Sequence, residues 1–129
     1  VRQKIRAGTF FFFPSVSKVI YPPQQKGEEL KRAKKYLRDG YGGLVGFELH
    51  GGKESGEKFI NSLELFYPVA NRGDARSLAI HPATTTHSQL SPEDQKSTGV
   101  SESYVRLSIG IEHIDDIIND LELALSKST

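Results

Sequence analysis

Residues 104–109, Tyr-Val-Arg-Leu-Ser-Ile, set the strictest limit on how the chain folds. Their alternation predicts a strand with Tyr104, Arg106 and Ser108 on one face and Val105, Leu107 and Ile109 on the other. The apolar set has to face a core, which leaves Arg106 on a second, polar surface. A further apolar run over residues 76–80 predicts another strand. Between the two lies a long polar excursion with two His, four Thr and a helix start.

Arg106 has two readings. A strand charge is most often the wet face of a sheet or one half of a structural ion pair. The alternative is an anion clamp, because guanidinium is planar, stays charged and offers paired donors that match a carboxylate or phosphate edge. Spacing alone does not choose between them.

The remaining elements read from periodicity and punctuation. Residues 15–21 carry Val16, Val19, Ile20 and Tyr21 and predict a strand, ended by Pro22-Pro23. Residues 26–38 place Leu30, Ala33 and Leu37 at helical spacing with Tyr36 beside them. Glu28 and Glu29 precede the basic block Lys31-Arg32-Lys34-Lys35-Arg38, the order that suits the helix dipole and marks a solvated face. The glycine-rich turn 40–43 lacks the Lys and helix of a phosphate cradle and gives the backbone freedom to enter a strand over 44–50. Residues 54–66 predict a helix with Phe59, Ile60, Leu63 and Phe66 on one face, stopped by Pro68. Ser91-Pro92 has the N-cap and first-turn proline of a short helix ending near Gly99. Residues 113–126 close the chain as a helix, with an apolar stripe of Ile114, Ile117, Ile118, Leu121 and Leu125. The order predicts an α+β fold, a mostly antiparallel sheet with helices on one face and the Arg106 face left uncovered to line a cleft.

Composition narrows the function classes. The 129 residues suit one domain with one core. Lys+Arg 17 against Asp+Glu 16 gives a net charge of +1, so nothing pulls the chain toward nucleic acid or an anionic membrane. The longest apolar run, residues 10–13, is far short of a span of about 20 residues. That Phe run is expected to be a buried edge or an interface patch. His50, His81, His87 and His113 form no His-x-x-x-His pair, and Cys is absent, so metal is not expected. Arg72-Gly73-Asp74 spells an adhesion tripeptide, a match that three residues often make by accident. The chain opens on Val1 and contains no Met, and is therefore expected to be part of a longer protein.

Three ordered motifs are more specific. They are Ala70-Asn71-Arg72-Gly73-Asp74-Ala75-Arg76-Ser77-Leu78, His81-Pro82-Ala83-Thr84-Thr85-Thr86-His87-Ser88-Gln89-Leu90 and Val105-Arg106-Leu107-Ser108-Ile109-Gly110-Ile111-Glu112. Together with Val19-Ile20-Tyr21-Pro22 and Gly42-Gly43-Leu44-Val45-Gly46-Phe47-Glu48, they resemble the C-terminal part of the pyridoxal-phosphate enzymes of cysteine and methionine metabolism. The Ala-Asn-x-Gly-Asp and Thr-Thr-His-Ser-Gln forms point to the O-acetylhomoserine sulfhydrylase branch. Methionine γ-lyase and cystathionine γ-synthase are the nearest alternatives, and a non-catalytic interaction module derived from the family is another.

The resemblance implies the small C-terminal domain of a fold-type I enzyme over residues 15–129, with residues 1–14 unmatched. It implies that the larger domain, with pyridoxal 5'-phosphate on a Ser-x-Thr-Lys lysine, lies outside these residues, so that catalytic and cofactor-binding groups are not expected here. The cofactor would act as electron sink while acetate on O-acetyl-L-homoserine is exchanged for sulfide, giving homocysteine. Arg106 is implied to grip the substrate α-carboxylate, with Asn71 beside it and Thr86 facing the same pocket. Arg72 departs from the family pattern, where an aliphatic residue is usual. A cytoplasmic homotetramer with neither nucleic-acid nor membrane partners, and little activity in this span alone, completes what the resemblance implies.

Overall fold

In the computed structural model, residues 13–128 are described, so the Phe run is described only at Phe13. Five strands form one sheet in the order β1-β2-β5-β4-β3: β1 Val16–Ile20, β2 Leu44–Leu49, β3 Tyr67–Pro68, β4 Leu78–Ile80 and β5 Tyr104–Ser108. Every neighbouring pair is antiparallel except β3 with β4. The helices are α1 Gly27–Tyr36, α2 Gly52–Ser62, α3 Pro92–Ser97 and α4 Ile114–Lys127.

The alternation in β5 decides which face is covered. Val105 and Leu107 are fully buried and share a core with Val45, Phe47 and Leu49 of β2, Phe59 of α2, and Ile117, Leu121, Ala124 and Leu125 of α4. The Phe47 and Phe59 rings meet edge to face at 5.2 Å, an arrangement worth about 1 kcal/mol beyond its buried area. On the other face, register pairs Gly46 with Arg106, Glu48 with Tyr104, and Leu78 with Ser108. Glu48, Tyr104 and Arg106 are half-buried there. The α+β arrangement expected from the sequence is the one observed.

Three elements are bounded differently from the sequence expectation, and one short strand has no counterpart in it. The helix expected over 54–66 runs from Gly52 to Ser62. Residues 64–66 leave the helix because the Asp120 carboxylate on α4 accepts the amides of Glu64, Leu65 and Phe66 at 2.9, 3.0 and 3.3 Å. The strand expected over 76–80 begins only at Leu78. The Arg76 amide is taken by Asp74 at 2.9 Å and the Ser77 amide by Glu112 at 2.6 Å. The helix expected over 26–38 stops at Tyr36, and Tyr36 and Leu37 lie exposed beyond its apolar face. Two-residue β3 gave no periodic signal and contains Pro68, which is tolerated because it sits on the sheet edge.

α3 follows the punctuation read from sequence. Ser91 caps it by accepting the Asp94 amide, and Pro92 opens it. The helix ends at Ser97, and Gly99 at φ 80° turns the chain away.

Candidate functional site

Arg106 stands on the face that α2 and α4 leave open. Its Nη2 donates to the Ala70 carbonyl at 2.8 Å. Two residues further along, the Gly73 amide donates to the Ser108 hydroxyl at 3.2 Å. The turn through Asn71 and Arg72 is therefore pinned at both ends to the polar face of β5. Gly73 makes that turn at φ +73°, a conformation that favours glycine.

A second set of bonds locks the following segment. The Glu112 carboxylate accepts the Ser77 amide at 2.6 Å and the Ser77 hydroxyl at 2.8 Å, and the Ser77 hydroxyl accepts the Gly110 amide at 2.9 Å. Ser77 is completely buried. A side chain at Gly110 would collide with the Ala75 carbonyl and the Glu112 carboxylate, so only glycine fits. The Ile111 amide donates to the Ala75 carbonyl at 2.9 Å. Burial raises the Glu112 pKa, but the Ser77 bonds outweigh it and hold the carboxyl below its ordinary range. Ser77, Ser108, Gly110 and Glu112 thus form the scaffold that presents the Asn71 turn to Arg106. Alternation alone gives no sign of this scaffold, although these residues lie inside the quoted motifs.

The face carries Arg72 and Arg106 at the Asn71 turn, and Glu48, 3.8 Å from Lys18, toward the β1 side. Among the described residues neither Arg72 nor Arg106 pairs with a carboxylate. Asp74, the acid of the turn, is turned back to Arg76 at 3.5 Å. Burial is the main influence lowering the Arg106 pKa, and the Arg72 charge adds to it. Guanidinium nonetheless stays protonated at any working pH. Tyr104 lies across Gly46, where any side chain would meet its ring, with atoms 2.6 Å from a modest Cβ. Burial pushes the Tyr104 hydroxyl up, while Arg106 and Arg72 pull it down and Glu48 raises it further.

The other sequence-singled residues lie apart. Asn71 is exposed next to Ala70. Thr86 is exposed and its hydroxyl lies 2.9 Å from His87 Nδ1, with no hydrogen bond to Arg106 or Asn71 among the described residues. A cleft of ≈ 310 Å³ beside Ala70 is lined by Ile60, Val69, Ile80, His81 and Thr84 among others, but not by Arg106, Asn71 or Thr86. His81 is a satisfied core histidine: Nε2–H donates to the Glu102 carbonyl at 2.7 Å, and Nδ1 lies 3.0 Å from the Thr84 hydroxyl. Gly56 of α2 makes room for its ring. His113 caps α4 instead of facing the other histidines.

Every described lysine is exposed. The guanidinium donors of this face match the planar edge of an oxyanion, carboxylate or phosphate.

The family model for Cys/Met metabolism PLP-dependent enzymes matches residues 10–126. The chain is 53% identical over 115 residues to the O-acetyl-L-homoserine sulfhydrylase of Leptospira meyeri, covering 88% of this chain and 26% of that protein. It is 48% identical over 113 residues to O-acetyl-L-homoserine sulfhydrylase 1 of Thermus thermophilus, covering 88% and 27%. The L-methionine gamma-lyase of Pseudomonas putida is 42% identical over 115 residues, covering 89% and 29%. A crystal structure from Campylobacter jejuni, provisionally described as an O-acetylhomoserine (thiol)-lyase with a pyridoxyl-lysine monophosphate, superposes with a TM-score of 0.86. It is 36% identical, and the match covers 97% of this chain and 30% of that one. The chain thus spans between a quarter and a third of the length of these relatives.

Proposed function

Because the chain belongs to the pyridoxal-phosphate-dependent enzymes of Cys/Met metabolism, we propose that residues 15–129 are the C-terminal substrate-binding domain of an O-acetyl-L-homoserine sulfhydrylase. The complete protein replaces the acetate of O-acetyl-L-homoserine with sulfide to give homocysteine. The cofactor and its lysine belong to the part of the protein outside this span. The complete enzyme is a cytoplasmic homotetramer.

One observation carries this reading. Arg106 is a half-buried guanidinium without a carboxylate partner, held by one Nη2 bond to Ala70 on a face no core helix covers. Its remaining N–H groups are free to bind the substrate α-carboxylate. Asn71, on the turn pinned to Arg106, is the polar side chain assigned to the same carboxylate, and Thr86, hydrogen-bonded to His87 in the loop after β4, is assigned to the pocket by the motif alone. The work of this domain is orientation: a carboxylate held by a fixed fork cannot rotate, so the Cα–H bond keeps one direction. Positioning of this kind supplies several kcal/mol of a barrier, on the order of 5.

A methionine γ-lyase is the second reading, favoured by the 42% identity to the Pseudomonas putida lyase. The full-length protein separates the two. Acetate release from O-acetyl-L-homoserine that requires sulfide supports the sulfhydrylase. Ammonia and 2-oxobutanoate released from methionine at a higher kcat/KM would replace it with the lyase.

A further inference from the structure

Arg72 is the one element of the site that neither the fold nor the proposed reaction has used. Its backbone is fixed on the Arg106 face by two bonds that flank it, Ala70 carbonyl to Arg106 and Gly73 amide to Ser108. Its side chain is exposed and has no carboxylate partner among the described residues. Two guanidinium groups on one small patch repel each other; Glu48, the acid of that face, lies 3.8 Å from Lys18 and pairs with neither, and an anion seated between the guanidinium groups relieves their repulsion. The turn that carries Arg72 is pinned over the polar face of β5 at Arg106 and Ser108, and the Arg72 charge lowers the Arg106 pKa, second to burial. Arg106 also spends one Nη2 hydrogen on Ala70. A fork from Arg106 fills about two of a carboxylate's roughly four acceptor sites and leaves the others open to a second donor.

We propose that Arg72 is a second carboxylate-binding cation, completing with Arg106 a two-guanidinium clamp for the α-carboxylate of the amino-acid substrate. This rests on the reading of Arg106 given above and deepens it. Arg106, the more buried of the two, fixes orientation. Arg72, exposed and on a pinned turn, adds attraction and sets how strongly the amino acid is held. Removal of Arg72 therefore changes affinity more than the rate of the bound complex, and makes that affinity less sensitive to salt.

The test uses the full-length holoenzyme and initial rates with O-acetyl-L-homoserine at saturating sulfide, from low to about 0.5 M NaCl, where the Debye length falls to about 4 Å. Arg72→Leu is expected to raise KM for O-acetyl-L-homoserine about tenfold, with kcat within about twofold. Its KM is expected to climb less steeply with salt than that of the parent. Arg72→Lys keeps the charge and is expected to restore most of the affinity and the salt response, which a merely structural role would not do. Arg106→Lys run alongside separates the two claims. If Arg72→Leu leaves KM and its salt slope unchanged while Arg106→Lys cuts kcat/KM, the second cation is refuted and the Arg106 grip stands. If Arg106→Lys is also silent, the grip itself is refuted and the clamp with it.

Discussion

Glu112 holds both the amide and the hydroxyl of Ser77, at 2.6 and 2.8 Å, across 35 residues of sequence. That pair joins the end of β5 to the segment leading into β4, and so fixes the turn against which Arg106 leans. The turn thus rests on a carboxylate bonded to the scaffold behind it.

Glu112→Gln keeps the shape and leaves one acceptor where two are used. The Gln amide nitrogen then faces a Ser77 donor. The variant is expected to be less stable by about 2 kcal/mol, read from denaturant unfolding. Because the Asn71 turn loosens with it, KM for the amino acid is also expected to rise in the full-length protein.

Asp120→Asn addresses the other long-range carboxylate. Asp120 is buried at 7% exposure and accepts three successive amides, from Glu64, Leu65 and Phe66. Asn offers one oxygen and turns an NH₂ toward a donor. A loss of about 2–3 kcal/mol is expected from chemical denaturation. The Arg106 face lies on the other side of the sheet, so kcat/KM in the folded enzyme is expected to stay within about twofold.

Acid is expected to destabilise the fold in two stages. Burial, the largest influence, holds the His81 imidazole below its ordinary value of 6.5, against the opposing effects of the Glu102 carbonyl and Glu57. The unfolded chain therefore takes this proton first as pH falls. The His81 contribution is complete above about pH 6.5 and is lost as pH drops through the folded value. Glu112, held below its ordinary value of 4.5, adds a further loss at lower pH. Melting temperatures measured from pH 8 down to pH 5 are expected to fall below pH 6.5, and His81→Gln is expected to flatten that fall.

Gly56→Ala places a methyl group into the His81 ring. The ring is held on both nitrogens and cannot swing aside cheaply. A loss of about 1–3 kcal/mol in thermal or chemical unfolding is expected, as for other overpacked sites.

The parts of this fold that were legible in the sequence are those with a period. β5 announced its two faces, and Val105 and Leu107 occupy the core while Arg106 does not. The stripe on α4 and the Ser91-Pro92 start of α3 were legible for the same reason. Asp120 was not, because a polar residue inside an apolar stripe reads as solvent-facing until the amides it caps are brought to it from residues 64–66. The Ser77–Glu112 pair was hidden likewise: its partners are distant in sequence and share no spacing rule. The sequence gives no cue that the Tyr104 ring lies over Gly46; only the fold shows it. Alternation puts Arg106 on the surface opposite the core, as observed, while the role proposed for it comes from the motif resemblance.

The most direct measurement is kcat/KM of Arg106→Lys in the full-length protein with O-acetyl-L-homoserine and sulfide. Lys keeps the charge and loses the planar fork. A fall on the order of a hundredfold, with unfolding stability little changed, is expected. A kcat/KM equal to that of the parent would contradict it, and would return Arg106 to the status of a solvated strand charge.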